Sequence, residues 1–247
     1  MSRTHVLPQR QGLLLIAAVV VLAGLAVVSF LLLGADTGEV DPENVNENTG
    51  SLDSYAYEST QTMQSEGAND TVTLIGAVDR EANEAVVRET TETTLGIDTE
   101  ETTERYLVDG NEYLHTDDEW EQMTATDDVW SEFDPLGNIT DTLEETSFET
   151  VGTETINGIE TEAFEANISE SAAAELFGFD DDAHIPLEVE ELQYVVFVDP
   201  DTEQLHAIDI RAMISQGGEP ALVTTETTIS DHDEPVSIDL PDDTADA

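Results

Sequence analysis

Hydrophobic and polar side chains alternate along much of the chain between residues 51 and 240. A period of two is typical of β-strands that bury one face. The opposite positions are rich in Thr and Glu, as expected for an antiparallel sheet with one solvated face. The pattern therefore predicts a mainly β fold of the α+β class. Its clearest apolar faces are Leu192, Tyr194, Val196 and Val198, and then Ile208, Ile210, Ala212 and Ile214.

Turn sequences divide this region into consecutive hairpins. Asp109-Gly110 and Asn157-Gly158 are typical of the type I′ turns that join two antiparallel strands. Residues 199–202, Asp-Pro-Asp-Thr, are typical of a type I turn. Strands joined by short turns are neighbours in a sheet, so the order predicts a long antiparallel meander. Residues 51–240 have the length of one domain.

Two segments have helical signals instead. Residues 169–178 begin with Ser169 as a candidate N-cap and end at Gly178. Residues 127–133 place Val129, Trp130 and Phe133 on one helical face. Pro135 is expected to interrupt that helix, which restarts with Asn138 as its cap. One or two short helices are therefore expected against the sheet.

The N-terminal region has a different pattern. Residues 13–33 are apolar and uncharged, and 21 residues at about 1.5 Å each span roughly 31 Å, enough to cross a bilayer core. Arg3 and Arg10 precede them and acidic residues follow. By the positive-inside rule, residues 1–12 are cytoplasmic, residues 13–33 are a transmembrane anchor and the rest is extracellular. The alternative is a signal peptide cleaved after Ala35, which would release the domain.

Both flanks of the β region are predicted to lack a packed structure. Residues 34–50 are acidic and almost devoid of large apolar side chains, so they predict a flexible stalk. Residues 241–247 are predicted to be a disordered tail.

The charge is extreme. The chain has 57 acidic residues, six Arg and no Lys, for a formal net charge of −51 at pH 7. Such a charge destabilises a compact state at low salt, but at about 1 M salt a Debye length of about 3 Å screens it. The composition indicates adaptation to molar salt, as in a halophilic archaeon; the alternative is a polyanionic surface for a cationic partner. Nucleic acid is excluded as a partner, since binding it requires a basic surface.

Sequence motifs for catalysis are absent. The chain has no Cys, which removes disulfides, thiolate sites and lipid attachment to Cys. A lysine nucleophile and a P-loop both require Lys. Residues 230–234 contain Ser, His and Asp, but neighbours in a strand point to opposite faces. Residues 179–184 are Asp-rich without the EF-hand spacing, so they predict a solvated loop. We predict a non-enzyme without metal or cofactor.

Three Asn-x-Ser/Thr sequences are candidate glycosylation sites on an exported chain: Asn69, Asn138 and Asn167.

The aromatic residues are few and lie mostly on the predicted strands and helices. A curved sheet with only one or two short helices leaves part of its concave face uncovered. An apolar groove of that kind accepts acyl or isoprenoid chains. The hairpin that contains Tyr106, Tyr113 and Trp120 is expected to direct its rings into this groove.

Several segments together resemble the LolA-like lipoprotein-carrier superfamily, and within it the LppX/LprG-type cell-surface lipoproteins. They are the strand SYAYES, the Gly76-to-Asp79 hairpin, VDGNEYLHTDDEWEQM, TINGIETEAFEANI and VFVDPDTEQLHAIDI. The resemblance implies an antiparallel half-barrel whose helices close an apolar cavity for lipid or lipoprotein chains. By position it implies this lining: Tyr57, Leu74, Tyr113, Trp120, Phe148, Phe164, Tyr194 and Ile210.

The chain departs from the family in two ways. It lacks the lipidated Cys, whose role residues 13–33 take over, and the helix before the first strand is weak because the acidic stalk occupies its place. We therefore expect a membrane-tethered, extracellular binding or sensing module for a lipid or a lipid-modified protein. The alternatives are a cell-envelope interaction protein without a ligand, and a cation-dependent adhesion or enzyme domain.

Overall fold

The computed structural model describes residues 40–94, 98–116, 119–126, 129–143, 146–168, 187–216, 218–241 and 244. The predicted anchor, the candidate helix at 169–178, the Asp-rich segment 179–184 and most of the predicted tail lie outside these ranges. Within them, no helix combines the length and the apolar character that a membrane span requires.

Eleven strands form one sheet within the described ranges, and every pairing is antiparallel. The spatial order is β6-β5-β4-β3-β2-β1-β11-β10-β9-β8-β7, so the first and last strands meet in the middle. The predicted antiparallel β architecture is confirmed. The strands are β1 (Ser54–Ser65), β2 (Ala68–Asp79), β3 (Glu84–Thr94), β4 (Asp98–Val108), β5 (Asn111–Thr116), β6 (Glu119–Thr124), β7 (Ser147–Ile156), β8 (Ile159–Asn167), β9 (Leu187–Val198), β10 (Leu205–Gln216) and β11 (Glu219–Ser230).

The two predicted type I′ turns are confirmed by their backbone angles. Asp109 and Gly110 have φ values of 51° and 73°, and Asn157 and Gly158 have values of 50° and 88°. A type I′ turn needs positive φ at both central positions, which Asn or Asp followed by Gly adopts at low cost. These turns connect β4 to β5 and β7 to β8 and thereby set the register of both hairpins.

Residues 42–50, predicted to belong to the flexible stalk, instead form helix α1 (Pro42–Gly50). Asp41 caps it by accepting a hydrogen bond from the Glu43 N–H. The Val45 side chain is fully buried, and the Thr49 hydroxyl accepts a hydrogen bond from the Leu205 N–H at 3.1 Å. The prediction was wrong because one apolar residue and long-range hydrogen bonds to the β9–β10 region outweigh an acidic composition.

Two further short helices follow β6. Helix α2 (Trp130–Phe133) lies where the sequence predicts it, and α3 (Pro135–Leu143) begins at Pro135 rather than at Asn138. Pro lacks a backbone N–H that the first turn of a helix does not use, so it starts this helix instead of interrupting one.

All three helices pack on one face of the curved sheet, which we call the concave face. Cross-strand partners point to the same side of a sheet, so the pairing assigns every strand residue to a face. The helix side chains Val45, Phe133, Leu136, Ile139 and Leu143 join strand residues in one buried core, the main cluster.

Candidate functional site

The concave face carries a second apolar region beyond the main cluster. No described helix residue belongs to this second cluster, whereas three helices contribute to the main cluster. Leu192 packs against both clusters, so the two regions are continuous along β9. The second cluster consists of Met63, Val189, Leu192, Ala212, Ile214, Ala221 and Val223.

A group of polar side chains lies between the two clusters on the central strands β1 and β11. We call Ser59, Gln61, Thr225 and Thr227 the polar belt. Ser59, Thr225 and Thr227 are almost completely buried. The Thr227 hydroxyl donates to Ser59 Oγ at 3.3 Å, and Gln61 Nε2 donates to Thr225 Oγ1 at 3.4 Å. The belt is therefore hydrogen-bonded internally, as buried hydroxyls usually are.

A buried ion pair fastens the helices to the sheet. Arg80 Nε and Nη2 donate to the two Asp134 carboxylate oxygens at 2.8 and 2.9 Å. Arg80 Nη1 also donates to the carbonyls of Gly50 and Leu52, and the Tyr55 hydroxyl donates to Asp134 at 2.7 Å. Burial, followed by the Asp134 charge, raises the pKa of Tyr55, so its hydroxyl is a neutral donor. This network joins the end of α1, strand β1 and the α2–α3 connection.

A second arginine fastens helix α2. Arg105 Nε donates to Glu112 at 2.8 Å and its Nη2 to Glu132 at 2.7 Å, while the guanidinium lies 4.8 Å from the Phe133 ring centroid. Arg80 and Arg105 are the described arginines that reach the concave side, and both are paired with carboxylates.

Six of the eight predicted lining residues point to the concave side. Phe148 packs against the main cluster with its ring centroid 5.8 Å from that of Phe164. The other five belong to the main cluster itself and are buried: Tyr57, Leu74, Phe164, Tyr194 and Ile210. Whether any of them contacts a ligand remains a proposal.

Tyr113 and Trp120 point to the opposite, convex face, so their predicted place in the lining was wrong. Leu107 belongs to the main cluster and pairs with Glu112, which leaves Tyr113 on the other side of β5. Trp120 pairs with His115, two residues further along the same side. The Trp120 ring stacks on His115 at 4.5 Å and lies 5.8 Å from Tyr106. The hairpin therefore presents its rings on the convex face.

The Tyr194 hydroxyl is a feature that sequence reasoning missed. Tyr194 is 1% exposed, and its Oη has no hydrogen-bond partner among the residues that the structure describes. Burial raises the pKa of this hydroxyl, so it remains a neutral donor. The signal for the polar belt was available, because Ser59 continues the apolar alternation of Tyr55 and Tyr57. Nothing in the sequence marks the hydroxyl of one Tyr as unpaired.

The structure describes the side chains of two of the three candidate glycosylation sites, Asn69 and Asn167. Asn69 lies in β2 beside a polar cleft of about 340 Å³, and Asn167 is exposed at the end of β8. Asn138 lies in α3, and its side chain is outside the described part of the chain. Among the described residues, no three His, Asp or Glu side chains converge on a position for a metal ion.

Comparisons with known proteins agree with the fold. No protein-family model and no curated protein matches the sequence. LprF from Mycobacterium bovis is similar with a TM-score of 0.54 and 11% identity, over 81% of this chain and 94% of LprF. The lipoprotein LppX from Mycobacterium tuberculosis has a TM-score of 0.45 and 16% identity, over 80% of this chain and 95% of LppX. At such identities the LprF likeness concerns the fold only. Over most of its length, the chain therefore has the fold of LprF.

Proposed function

We propose that this protein is a membrane-tethered, extracellular module that binds a hydrophobic ligand on its concave face. The observation that carries this proposal is the second cluster, an apolar extension of the core to which no described helix contributes. Ala212, Ile214 and Val223 are buried in it, and Met63, Val189, Leu192 and Ala221 around them are partly exposed. A contiguous apolar region that is partly exposed often marks a binding site. A lipid chain would gain about 0.8 kcal/mol for each CH₂ that it buries there.

The electrostatics favour a ligand held by its apolar part. Arg80 and Arg105 are already bound to Asp134, Glu112 and Glu132. An anionic headgroup would therefore find no unpaired arginine among the described residues on the concave side. Affinity must then come from the hydrocarbon chain.

The test changes the second cluster without disturbing the main cluster. Met63 is partly buried in the second cluster, so Met63→Asp should place a charge in the site while the domain still folds. The expected result is loss of uptake of a fluorescent lipid by the protein in molar KCl. Native mass spectrometry of the protein purified from its own host should show a bound lipid in the wild type.

Ile75→Asp is the matched control, because Ile75 lies on the convex face and is 52% exposed. It should leave lipid uptake unchanged. If the folded wild type takes up no lipid and carries none from its host, the binding proposal is wrong.

The proposal includes a membrane anchor at the N-terminal end of the domain. Residues 13–33 would anchor the domain, with residues 1–12 in the cytoplasm and the domain facing outward, in a cell that maintains molar salt. Protease added to intact cells should then remove the domain and leave a short membrane-bound fragment. A domain released into the medium without protease would indicate signal cleavage, and a protected domain would indicate the opposite orientation.

A second candidate function is protein interaction in the cell envelope. The convex group of Tyr106, Tyr113, His115 and Trp120 favours it, because aromatic residues are enriched at interfaces. Under this alternative, Trp120→Ala should reduce crosslinking of the protein to other envelope proteins in intact cells, with lipid uptake unchanged.

A further inference from the structure

One candidate glycosylation sequence adjoins a polar cleft on the convex face. The sequence Asn69-Asp70-Thr71 begins at the second residue of β2, two residues after Gly67 in the exposed turn from β1. The Asn69 and Thr71 side chains are partly exposed, and both line the cleft of about 340 Å³. The amide that accepts a sugar and the hydroxyl that completes the motif therefore face the same space.

The strand register explains why these side chains share the cleft. Val72 and Leu74 are buried in the main cluster, so the alternate residues Asn69 and Thr71 point to the convex side. Cross-strand pairing continues from them in two rows over β3 and β4, and partners in a row point to the same side. These rows form most of the lining: Asn69, Thr94 and Asp98 in one row, and Thr71, Glu92 and Glu100 in the other.

The lining suits a ligand rich in hydroxyl groups. Its residues are Thr, Asn, Asp and Glu, and its volume lies within the usual range of ligand pockets, about 300–1,000 Å³. Glu92 and Glu100 lie directly opposite each other on β3 and β4, and like charges in that position destabilise a sheet. Sugar hydroxyls donate hydrogen bonds to carboxylates, and bonds to a charged acceptor are stronger than neutral ones. A sugar over this pair therefore stabilises an otherwise unfavourable arrangement.

The other two candidate sequences have different surroundings. In α3, Asn138 is followed by Ile139, which is 1% exposed in the main cluster, and the Thr140 hydroxyl donates to carbonyl oxygens of the preceding turn of the helix. Asn167 is exposed at the end of β8, and the third residue of its sequence lies outside the described part of the chain. Asn69 is thus the position where the structure describes the whole motif and places both of its functional groups beside a cleft.

We propose that Asn69 carries an N-linked oligosaccharide whose first sugars lie in this polar cleft. The transfer forms a bond between Asn69 Nδ2 and the anomeric carbon of a sugar held on a polyprenyl phosphate donor. The bond from that carbon to the phosphate oxygen breaks, the phosphate keeps the electron pair, and the amide nitrogen loses one proton. This inference rests on the export of the domain, which is part of the proposed function, and not on the ligand, which would bind the opposite face of the sheet.

Mass spectrometry of the full-length protein from its own host tests the modification. Cleavage after Glu releases residues 67–81, a peptide that contains Asn69 and no other candidate site. In the wild type this peptide should carry the mass of an oligosaccharide. Asn69→Gln and Thr71→Ala should each remove that mass, whereas Thr71→Ser, which preserves the motif, should retain it. Asn167→Gln is the matched control and should leave the peptide unchanged.

Hydrogen exchange tests whether the sugars lie in the cleft. Compared with Asn69→Gln, the glycosylated wild type in molar KCl should exchange the amides of residues 90–94 and 98–102 about two- to tenfold more slowly, the range expected from one added hydrogen bond. Residues 192–198 in β9 should exchange at the same rate in both proteins. Uptake of a fluorescent lipid should also be equal, because the oligosaccharide and the proposed ligand site lie on opposite faces of the sheet.

The outcomes are distinguishable. An unmodified peptide 67–81 from a domain that external protease removes from intact cells overturns this inference and leaves the proposed function standing. A modified peptide with equal exchange in the wild type and Asn69→Gln overturns the position of the sugars in the cleft. A domain protected from external protease overturns the proposed orientation and this inference with it. If Asn69→Gln does not fold, Thr71→Ala replaces it in the exchange comparison.

Discussion

At the scale of single residues, Gly76 shows how tightly the concave face is packed. A Cβ atom at this position would lie 2.3 Å from Cζ of the Tyr57 ring. Tyr57 is 4% exposed and belongs to the main cluster, so its ring has little room to move. Only glycine allows the ring to lie flat against β2.

Gly76→Ala should therefore destabilise the protein by about 1–3 kcal/mol, the usual cost of overpacking. Gly137, in α3, is the matched control, because a Cβ there meets no other atom within 4 Å. Gly137→Ala should stabilise by about 0.5–1 kcal/mol through helix propensity. Thermal unfolding in molar KCl measures both. Equal effects of the two substitutions would contradict the packing argument.

Asp209 shows how the acidic composition lowers the stability of the fold at a single residue. It lies on the convex face opposite Glu226 across β10 and β11. Burial, followed by the charges of Glu226 and Glu154, raises the pKa of Asp209 from 3.8 to about 7. The folded state therefore holds a proton that the unfolded state has lost between these two values. Stability falls as the pH rises through about 7.

Asp209→Asn should stabilise the protein at about pH 8 by about 1–3 kcal/mol and have a smaller effect at about pH 5, where the wild-type carboxyl is protonated in the folded state and ionised only in the unfolded state. The measurement is thermal unfolding at both pH values in molar KCl. The same gain at both pH values would show that ionisation of Asp209 is not the cause.

At the scale of elements, the short helices depend on ion pairs for their attachment. Helix α1 offers Val45, and α2 and α3 offer Phe133, Leu136, Ile139 and Leu143. Arg80 and Asp134 link both sets to the sheet, and their side chains are only 17% and 8% exposed. Burial protects this pair from the screening that weakens surface pairs in molar salt.

Asp134→Ala should destabilise the protein by about 3–5 kcal/mol, because it leaves the largely buried Arg80 guanidinium without its carboxylate. Glu104→Ala is the control: Glu104 pairs with Arg88, whose side chain is 59% exposed, and the loss should stay below about 1 kcal/mol. Unfolding in molar KCl compares them, and similar losses would mean that the Arg80–Asp134 pair does not hold the helices.

At the scale of the whole molecule, the main destabilising force is the repulsion caused by a formal charge of −51. Many Thr and acidic residues lie on the convex face, beside a small apolar cluster of Ala163, Val195, Phe197 and Ala207, so repulsion acts among neighbouring carboxylates there. Lowering KCl from about 1 M to 0.1 M lengthens the Debye length from about 3 to 10 Å and exposes each carboxylate to more of its neighbours.

The purified protein should consequently lose its cooperative thermal transition during dialysis to low salt, followed by circular dichroism, and regain it when KCl is restored. Retention of the full transition at low salt would remove the argument for adaptation to molar salt.

Local chemistry in the sequence determined the strands and their turns. The type I′ turns at Asp109-Gly110 and Asn157-Gly158, and the alternation in β9 and β10, depend on backbone preferences of neighbouring residues. Helix α2 follows from the spacing of its apolar residues in the same way. Such features can be predicted from the sequence because the interactions that determine them connect residues only a few positions apart in the chain.

Tertiary structure decided which face each strand buries and whether residues 42–50 form a packed helix. Alternation separates two faces but does not say which one meets the core. The pairing of Leu107 with Glu112 puts Tyr113 and Trp120 on the convex side, opposite to the side that the sequence predicts. Helix α1 forms because Val45 and Thr49 contact residues far away in sequence. The burial of Tyr194 likewise depends on side chains that are far away in sequence and close in space.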